Sequence, residues 1–121
     1  MRGMNDDHAA LIEVFKTLSN PHRWQILLWL QAPQQHFAEL AAQSEREPHP
    51  DADEYDICVG AIASKSGLAQ SVVSGYLAAL KNAGLVRSRR LGQWTYYRYD
   101  PEGAAQFMQR LHAAFQHTRK T

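Results

Sequence analysis

The sequence predicts a mainly α (α+β) domain in which two short helices, joined by a glycine-containing turn, precede a two-stranded β-ribbon. Three observations carry this prediction. Apolar residues recur at helical spacing as far as Ala83, and β-branched and aromatic residues then take over in strand-like runs as far as Tyr99. Asparagine, glycine and proline fall where those patterns change, at Asn20-Pro21, Gly67, Gly84, Gly92 and Pro101. Charge is segregated as well. Seven acids (Glu39, Glu45, Glu47, Asp51, Asp53, Glu54 and Asp56) lie close together with Arg46 as the one cation among them. Lys65, Lys81, Arg87, Arg89, Arg90 and Arg98 follow, with no acid before Asp100.

Residues 8–18 form a first helix with Leu11, Phe15 and Leu18 on one stripe. Asn20 can cap the second helix, and Pro21 at its first position loses no needed donor. That helix carries Trp24, Leu27, Leu28 and Trp29 and ends near Pro33. Residues 34–56 are expected to be an acidic, solvated loop. A short helix through Phe37, Leu40 and Ala41 can form over 36–45, but Pro48 and Pro50 stop any continuation. A third helix is expected over 57–65, with Val59, Ile62 and Ala63 inward. Gly67 takes the positive φ of the turn, and a fourth helix over 70–83 has Val73, Leu77 and Leu80 as its buried stripe. Gly84 ends it. Strands over 85–91 and 94–99 meet at Gly92-Gln93. Asp100, Pro101 and Glu102 open a last helix over 101–117 with cap, proline and first-turn acid together, and Phe107, Leu111 and Phe115 recur along it every four residues. The order α-α-(loop)-α-α-β-β-α is that of a winged helix-turn-helix, with 57–83 as the helix-turn-helix and 85–99 as the wing. It fills a single domain over 1–121.

At 121 residues the chain supports one modest core. Its apolar share of 45% and charged share of 21% are those of a globular protein. The longest apolar run, Ile26 to Leu30, is far shorter than the roughly 18 residues of a membrane span. The first residues lack the apolar core of a signal peptide, and the lone Cys58 suits a reducing compartment, so a cytoplasmic location is expected.

A helix-turn-helix lays its second helix in the major groove, and the first half of that helix meets base edges. Here that half holds Gln70, Ser71, Val72, Ser74, Gly75 and Tyr76. The Gln70 amide donates and accepts in one fork, which matches the edge of adenine. Ser71 and Ser74 can bond bases or phosphates, and Val72 can touch a thymine methyl. Gly75 allows close approach, and Tyr76 either reaches a phosphate or packs. Lys81 adds a cation to the same helix. On the hairpin, Arg87, Arg89, Arg90 and Gln93 suit a sugar-phosphate backbone or a narrow minor groove. Double-stranded DNA is the partner these residues point to. One such unit reads few base pairs, so a two-fold dimer reading half-sites about 34 Å apart is expected. The stripes Leu11/Phe15/Leu18 and Phe107/Leu111/Phe115, on the first and last helices, are the apolar surfaces available to build it.

Three blocks resemble one family. The runs Ile57-Cys58-Val59-Gly60-Ala61-Ile62-Ala63, Ser66-Gly67-Leu68-Ala69-Gln70-Ser71-Val72-Val73-Ser74 and Leu77-Ala78-Ala79-Leu80-Lys81-Asn82-Ala83-Gly84-Leu85-Val86 look like the ArsR (arsenic repressor) family of winged-helix regulators. Leu18-Ser19-Asn20-Pro21-His22-Arg23-Trp24-Gln25-Ile26-Leu27 is similar to its N-terminal signature, and the wing from Arg89 to Tyr97 fits too. The resemblance spans about residues 9–117 and leaves the acidic segment unmatched. It implies a homodimer through the first and last helices, operator binding near a promoter, and release by an effector.

The resemblance also bears on that effector. Many members release DNA when a metal or metalloid binds a Cys-x-Cys pair on the third helix, and the matching positions here are Cys58 and Gly60. One thiolate is missing, and thiophilic ions want two or three sulfurs. A second familiar metal site, on the last helix, is not reproduced by His112 and His117. No metal and no cofactor are therefore expected, and the effector is left unassigned. Alternatives are a composite site from Cys58, His36, His49 and loop acids, or Cys58 as a redox thiol favoured by the field of the helix it begins. Cys58 as a small buried residue is the simpler reading. An enzyme is not expected: the chain has no Gly-rich phosphate loop, no His-Glu-x-x-His and no Gly-x-Ser-x-Gly, and Cys58 beside a histidine is its one candidate dyad. A wing that docks an acidic protein is the remaining alternative.

Overall fold

A computed structural model describes residues 2–43 and 47–118. The elements run α1 (Arg2–Leu18), α2 (Pro21–Gln31), α3 (Pro33–Gln43), β1 (Ile57–Cys58), α4 (Val59–Ser66), α5 (Gln70–Asn82), β2 (Val86–Leu91), β3 (Trp94–Tyr99) and α6 (Pro101–Thr118). The fold is mainly α with a small three-stranded antiparallel sheet, and α4-turn-α5 followed by the β2-β3 hairpin makes the winged helix-turn-helix.

Two elements depart from the order read in the sequence. The segment 34–56 is not a loop throughout, because Pro33 opens α3 and Phe37 of that helix is 3% exposed in the core. Ile57 and Cys58 belong to a strand rather than to the following helix, paired with Tyr97 and Tyr96 of β3. The ladder bonds outweigh the helical pattern there, so α4 starts at Val59. Helix α1 also begins earlier, at Arg2. Glu45 and Arg46 lie outside the described residues.

Local chemistry accounts for the boundaries. The Asn20 carboxamide accepts from the N–H groups of His22 (2.8 Å) and Arg23 (3.1 Å), with Pro21 first in α2. Gly67, at φ 73°, ends α4, and its N–H donates to the Ala63 carbonyl. At the end of α5 the N–H of Gly84 donates to Lys81 O (2.9 Å) and that of Leu85 to Leu80 O (3.0 Å). Those two bonds, with Gly84 at φ 80°, make a Schellman stop whose flanking apolar pair, Leu80 and Leu85, lies in the core. The hairpin register sets Leu91 opposite Trp94, so its loop is Gly92-Gln93; positive φ at Gly92 alone gives the type II′ pattern that matches strand twist.

Ile62, Val73, Leu77 and Leu80 are fully buried at the centre of the core, joined by Ile26 and Leu30 of α2 and by Leu85 and Val86. Strand alternation divides the wing into two faces. Val86, Tyr97 and Tyr99 lie on the core side. Arg87 and Arg98 are directly opposed on the other side, next to the pair Arg89 and Tyr96. Segment 49–56 covers that outer side: the His49 N–H donates to Tyr96 Oη (3.2 Å), and the His49 ring packs beside Gly92.

Candidate nucleic-acid interface

Helix α5 presents Gln70, Ser71, Val72, Ser74 and Gly75 to solvent, while Val73 is fully buried. The side chains of Gln70, Ser71 and Ser74 make no hydrogen bond among the described residues, so their polar atoms are available to a ligand. The Gln70 amide leans over α4: its Oε1 lies 3.9 Å from where a Cβ on Gly60 would stand. Ser71 and Gly75 are one turn apart on the outward side, and the absence of bulk there lets a backbone approach. No charge stands on this half of the helix.

Tyr76 settles on packing. Its ring is half-buried, stacked on His22 (5.9 Å between centroids, 13° between planes) with the Arg23 guanidinium 5.5 Å from its centre. Arg23 Nε in turn donates to Thr17 O (2.7 Å). Tyr76 thus ties α5 to the start of α2, and the phosphate role considered in the sequence is not the one its surroundings favour. Lys81 is exposed in the last turn of α5, whereas Lys65 lies over the Trp29 ring at 5.2 Å.

The wing differs most from expectation. Arg89 was expected to meet DNA, but its guanidinium donates to Asp56 Oδ2 (2.6 Å), to Asp56 Oδ1 (3.4 Å) and to Asp51 O (2.8 Å). Arg98 Nε donates to Asp56 Oδ1 (3.2 Å), and its fork also holds Asp53. Arg87 pairs with Asp100 (3.1 Å) and Glu102 (3.6 Å) at the start of α6. Arg90, one residue further along β2, points to the opposite side, is exposed, and has no ion pair among the described residues. Gln93 is exposed at the turn.

These pairs set the protonation of the carboxylates. The Asp56 side chain is 0% exposed, and burial works to raise its pKa. The hydrogen bond from Arg89, the Asp53 N–H and the Arg98 guanidinium outweigh that, and its carboxyl titrates below the usual aspartate range. Asp53 is lowered chiefly by its hydrogen bond from Arg98. For Asp100, burial pulls upward but the Gly103 N–H and Arg87 pull its pKa down further. The acidic segment is thus a largely exposed loop, as expected, but Asp53 and the buried Asp56 tie it to the wing. The sequence did offer a signal: Arg87 and Arg89, two apart on a strand, put both cations on one face, and a face that charged needs counter-charge when something covers it.

The apolar stripes divide in the same manner. Leu11 is 6% exposed and Leu18 packs on the core, so Leu11, expected on the dimer face, has almost no surface left to offer a second copy. Val14, not singled out in the sequence, is buried with them. Phe15, by contrast, is 47% exposed and meets Phe107 edge-on at 5.7 Å, joining α1 to α6. Phe107 and Leu111 are partly buried. Ile12, Met108 and Phe115 are exposed, and Ile12 and Met108 lie outside the stripes read in the sequence.

Cys58 is half-buried at the position preceding α4, and its side chain makes no capping bond there. Among the described residues no group of three His, Cys, Asp or Glu side chains is gathered for a metal. The His117 side chain lies outside the described residues. No described helix is long and apolar enough to cross a membrane.

Comparison with known proteins bears on this geometry. The sequence profile described as "Bacterial regulatory protein, arsR family" matches residues 54–88, which hold the end of the acidic segment, α4, α5 and the start of β2. An uncharacterized HTH-type transcriptional regulator of Bacillus subtilis, YbzH, is 44% identical over 93 residues, covering 75% of this chain and 84% of that protein. An ArsR-like transcriptional regulator from Rhodococcus shares the fold, at TM-score 0.63 and 22% identity over 93% of this chain and 86% of the other. A winged helix-turn-helix DNA-binding domain from Mycobacterium bovis, described as homodimeric, is 31% identical with TM-score 0.53, covering 96% of this chain and 85% of that one. Sequence, fold and the α4-turn-α5 unit agree: the chain belongs to the ArsR family of winged helix-turn-helix transcriptional regulators.

Proposed function

We propose that the protein is a homodimeric repressor that binds operator DNA in the cytoplasm and leaves it when an effector binds. The observation that carries this is the exposed, uncharged first half of α5 beside a wing whose Arg90 stands unpaired among the described residues. Gln70, Ser71, Val72, Ser74 and Gly75 form the base-facing group, and Arg90 and Gln93 the backbone-facing group. Dimerisation uses Ile12, Phe15, Met108 and Phe115 on α1 and α6, with Phe107 and Leu111 beneath them. Dimerisation sets two copies of α5 one helical turn of DNA apart, which gives enough base contacts for a specific site. The role is binding rather than catalysis, and with one thiol at the Cys58 and Gly60 positions the signal is not held by a thiolate pair.

Fluorescence anisotropy with a labelled fragment of the region upstream of the protein's own coding sequence tests this reading. The expected result is tight binding that weakens with salt and exceeds binding to a shuffled fragment by roughly a thousandfold or more. Equal affinity for both fragments would remove sequence-specific regulation.

A further inference from the structure

Segment 49–56 lies on the wing, and all but its last three residues precede the stretch that the family profile matches. Its backbone is closed on itself by bonds from Asp53 N–H to Asp56 Oδ2 (2.9 Å), Asp56 N–H to Asp53 O (3.1 Å) and Ala52 N–H to His49 O (2.9 Å). Asp56, wholly shielded from solvent, spends one oxygen on Arg89 and shares the other with Arg98. Tyr55 lies against the Arg98 guanidinium at 5.7 Å. Counted with Asp100 and Glu102 on Arg87, three guanidiniums of this wing face meet four carboxylates. A face so balanced has no cationic field to offer a phosphate.

We propose that segment 49–56 is an internal surrogate for DNA phosphate, which occupies Arg89 and Arg98 and leaves Arg90 as the wing arginine that grips the backbone. The inference rests on the DNA-binding reading above. A carboxylate in a guanidinium fork makes the bonds a phosphate would make. DNA cannot take its place at Arg89, because doing so would strand the buried Asp56 charge without a partner. Asp56 is thus a positioning residue: it fixes the wing's pitch relative to α5 by tying β2 and β3 to the chain just ahead of β1. The neutralised face turns away from the duplex, and the edge carrying Arg90 turns toward it.

Salt titrations and thermal melts on full-length Arg89→Gln and Arg90→Gln dimers test this. Each phosphate neutralised contributes about 0.9 to the slope of log affinity against log salt. Arg90→Gln is expected to flatten that slope by about 0.9 for each wing engaged and to leave the melting temperature in place. Arg89→Gln is expected to lower the melting temperature and leave the slope unchanged. Should Arg89→Gln not fold, NMR of the unmutated protein reads the same point from the guanidinium Nε–H signals. Those of Arg89 and Arg98 should be slow to exchange without DNA and unshifted on adding it, while that of Arg90 shifts. A slope flattened by Arg89→Gln as much as by Arg90→Gln, or an Arg89 signal that moves on DNA binding, overturns the surrogate. Absence of any salt-dependent binding by the unmutated dimer overturns the DNA-binding reading instead, whatever the melts show.

Discussion

A Cβ placed on Gly103 would stand 1.7 Å from the carbonyl oxygen of Gly84. The first turn of α6 therefore rests directly on the turn that ends α5, and Asp100 caps it through the Gly103 N–H at 3.0 Å. Gly84 itself needs φ 80° to make the α5 stop. Two glycines thus couple the end of α5 to the start of α6.

Gly103→Ala should disturb this contact more than an ordinary helical Gly→Ala change, which stabilises. Overpacking against rigid backbone costs typically about 1–3 kcal/mol, and more where nothing can give. The melting temperature should fall by roughly 3–10 °C. A variant as stable as the unmutated protein would show that α6 does not sit this close.

Leu11 and Met108 separate folding from assembly. Leu11→Ala empties a buried site and should cost about 2–5 kcal/mol of protomer stability. Met108→Asp places a charge on an exposed apolar face, leaving helix content intact while weakening the dimer by roughly two orders of magnitude or more if that charge is buried unpaired. Sedimentation equilibrium and circular dichroism on both variants provide the check. An unaltered dimer constant for Met108→Asp would move the interface elsewhere.

The divergence between Leu11 and Phe15 shows how far a sequence speaks for such surfaces. Periodicity placed both on one apolar stripe, but it cannot say which side of a stripe the protomer keeps for itself. The helix-turn-helix and the wing were legible because caps, glycines and alternation are local. Asn20, Gly67, Gly84 and Gly92 act where they stand in the chain. Of the Asp56 network only the shared face of Arg87 and Arg89 was legible, since its ion pairs join residues 33 and 42 positions apart and depend on which face of β2 is covered. Gln70, Ser71 and Ser74 were placed outward by the periodicity that buries Val73, and all three are exposed. Ile57 misled because two residues of ladder pairing defeat a helical pattern that its own sequence supports.

Stability should fall in acid. Asp53, Asp56 and Asp100 all have folded pKa values below the ordinary aspartate value, so the unfolded chain binds more protons than the folded one as pH drops. Their stabilisation is fully present above about pH 4–5 and is lost as pH falls below about 4 toward their folded values. Melting temperature should be level from neutral pH down to about 5, then decline, with a shallower decline in Asp56→Asn than in the unmutated protein. Parallel acid limbs for the two proteins would exclude Asp56 from this linkage.

Gln70→Ala should weaken operator binding by about 1–3 kcal/mol and relax preference at one base pair of each half-site. Selection from a randomised half-site library, scored for the variant and the unmutated protein, reads this directly. Identical base preferences would show that the amide stays folded over α4 beside Gly60 when DNA is bound.

Hydroxyl-radical footprinting of the purified protein on its own upstream DNA at low ionic strength tests the central claim most directly. Two protected patches about 34 Å apart, related by a two-fold axis and erased by Met108→Asp at the same protein concentration, are predicted. Uniform cleavage along the fragment at protein concentrations where the dimer is intact would contradict it.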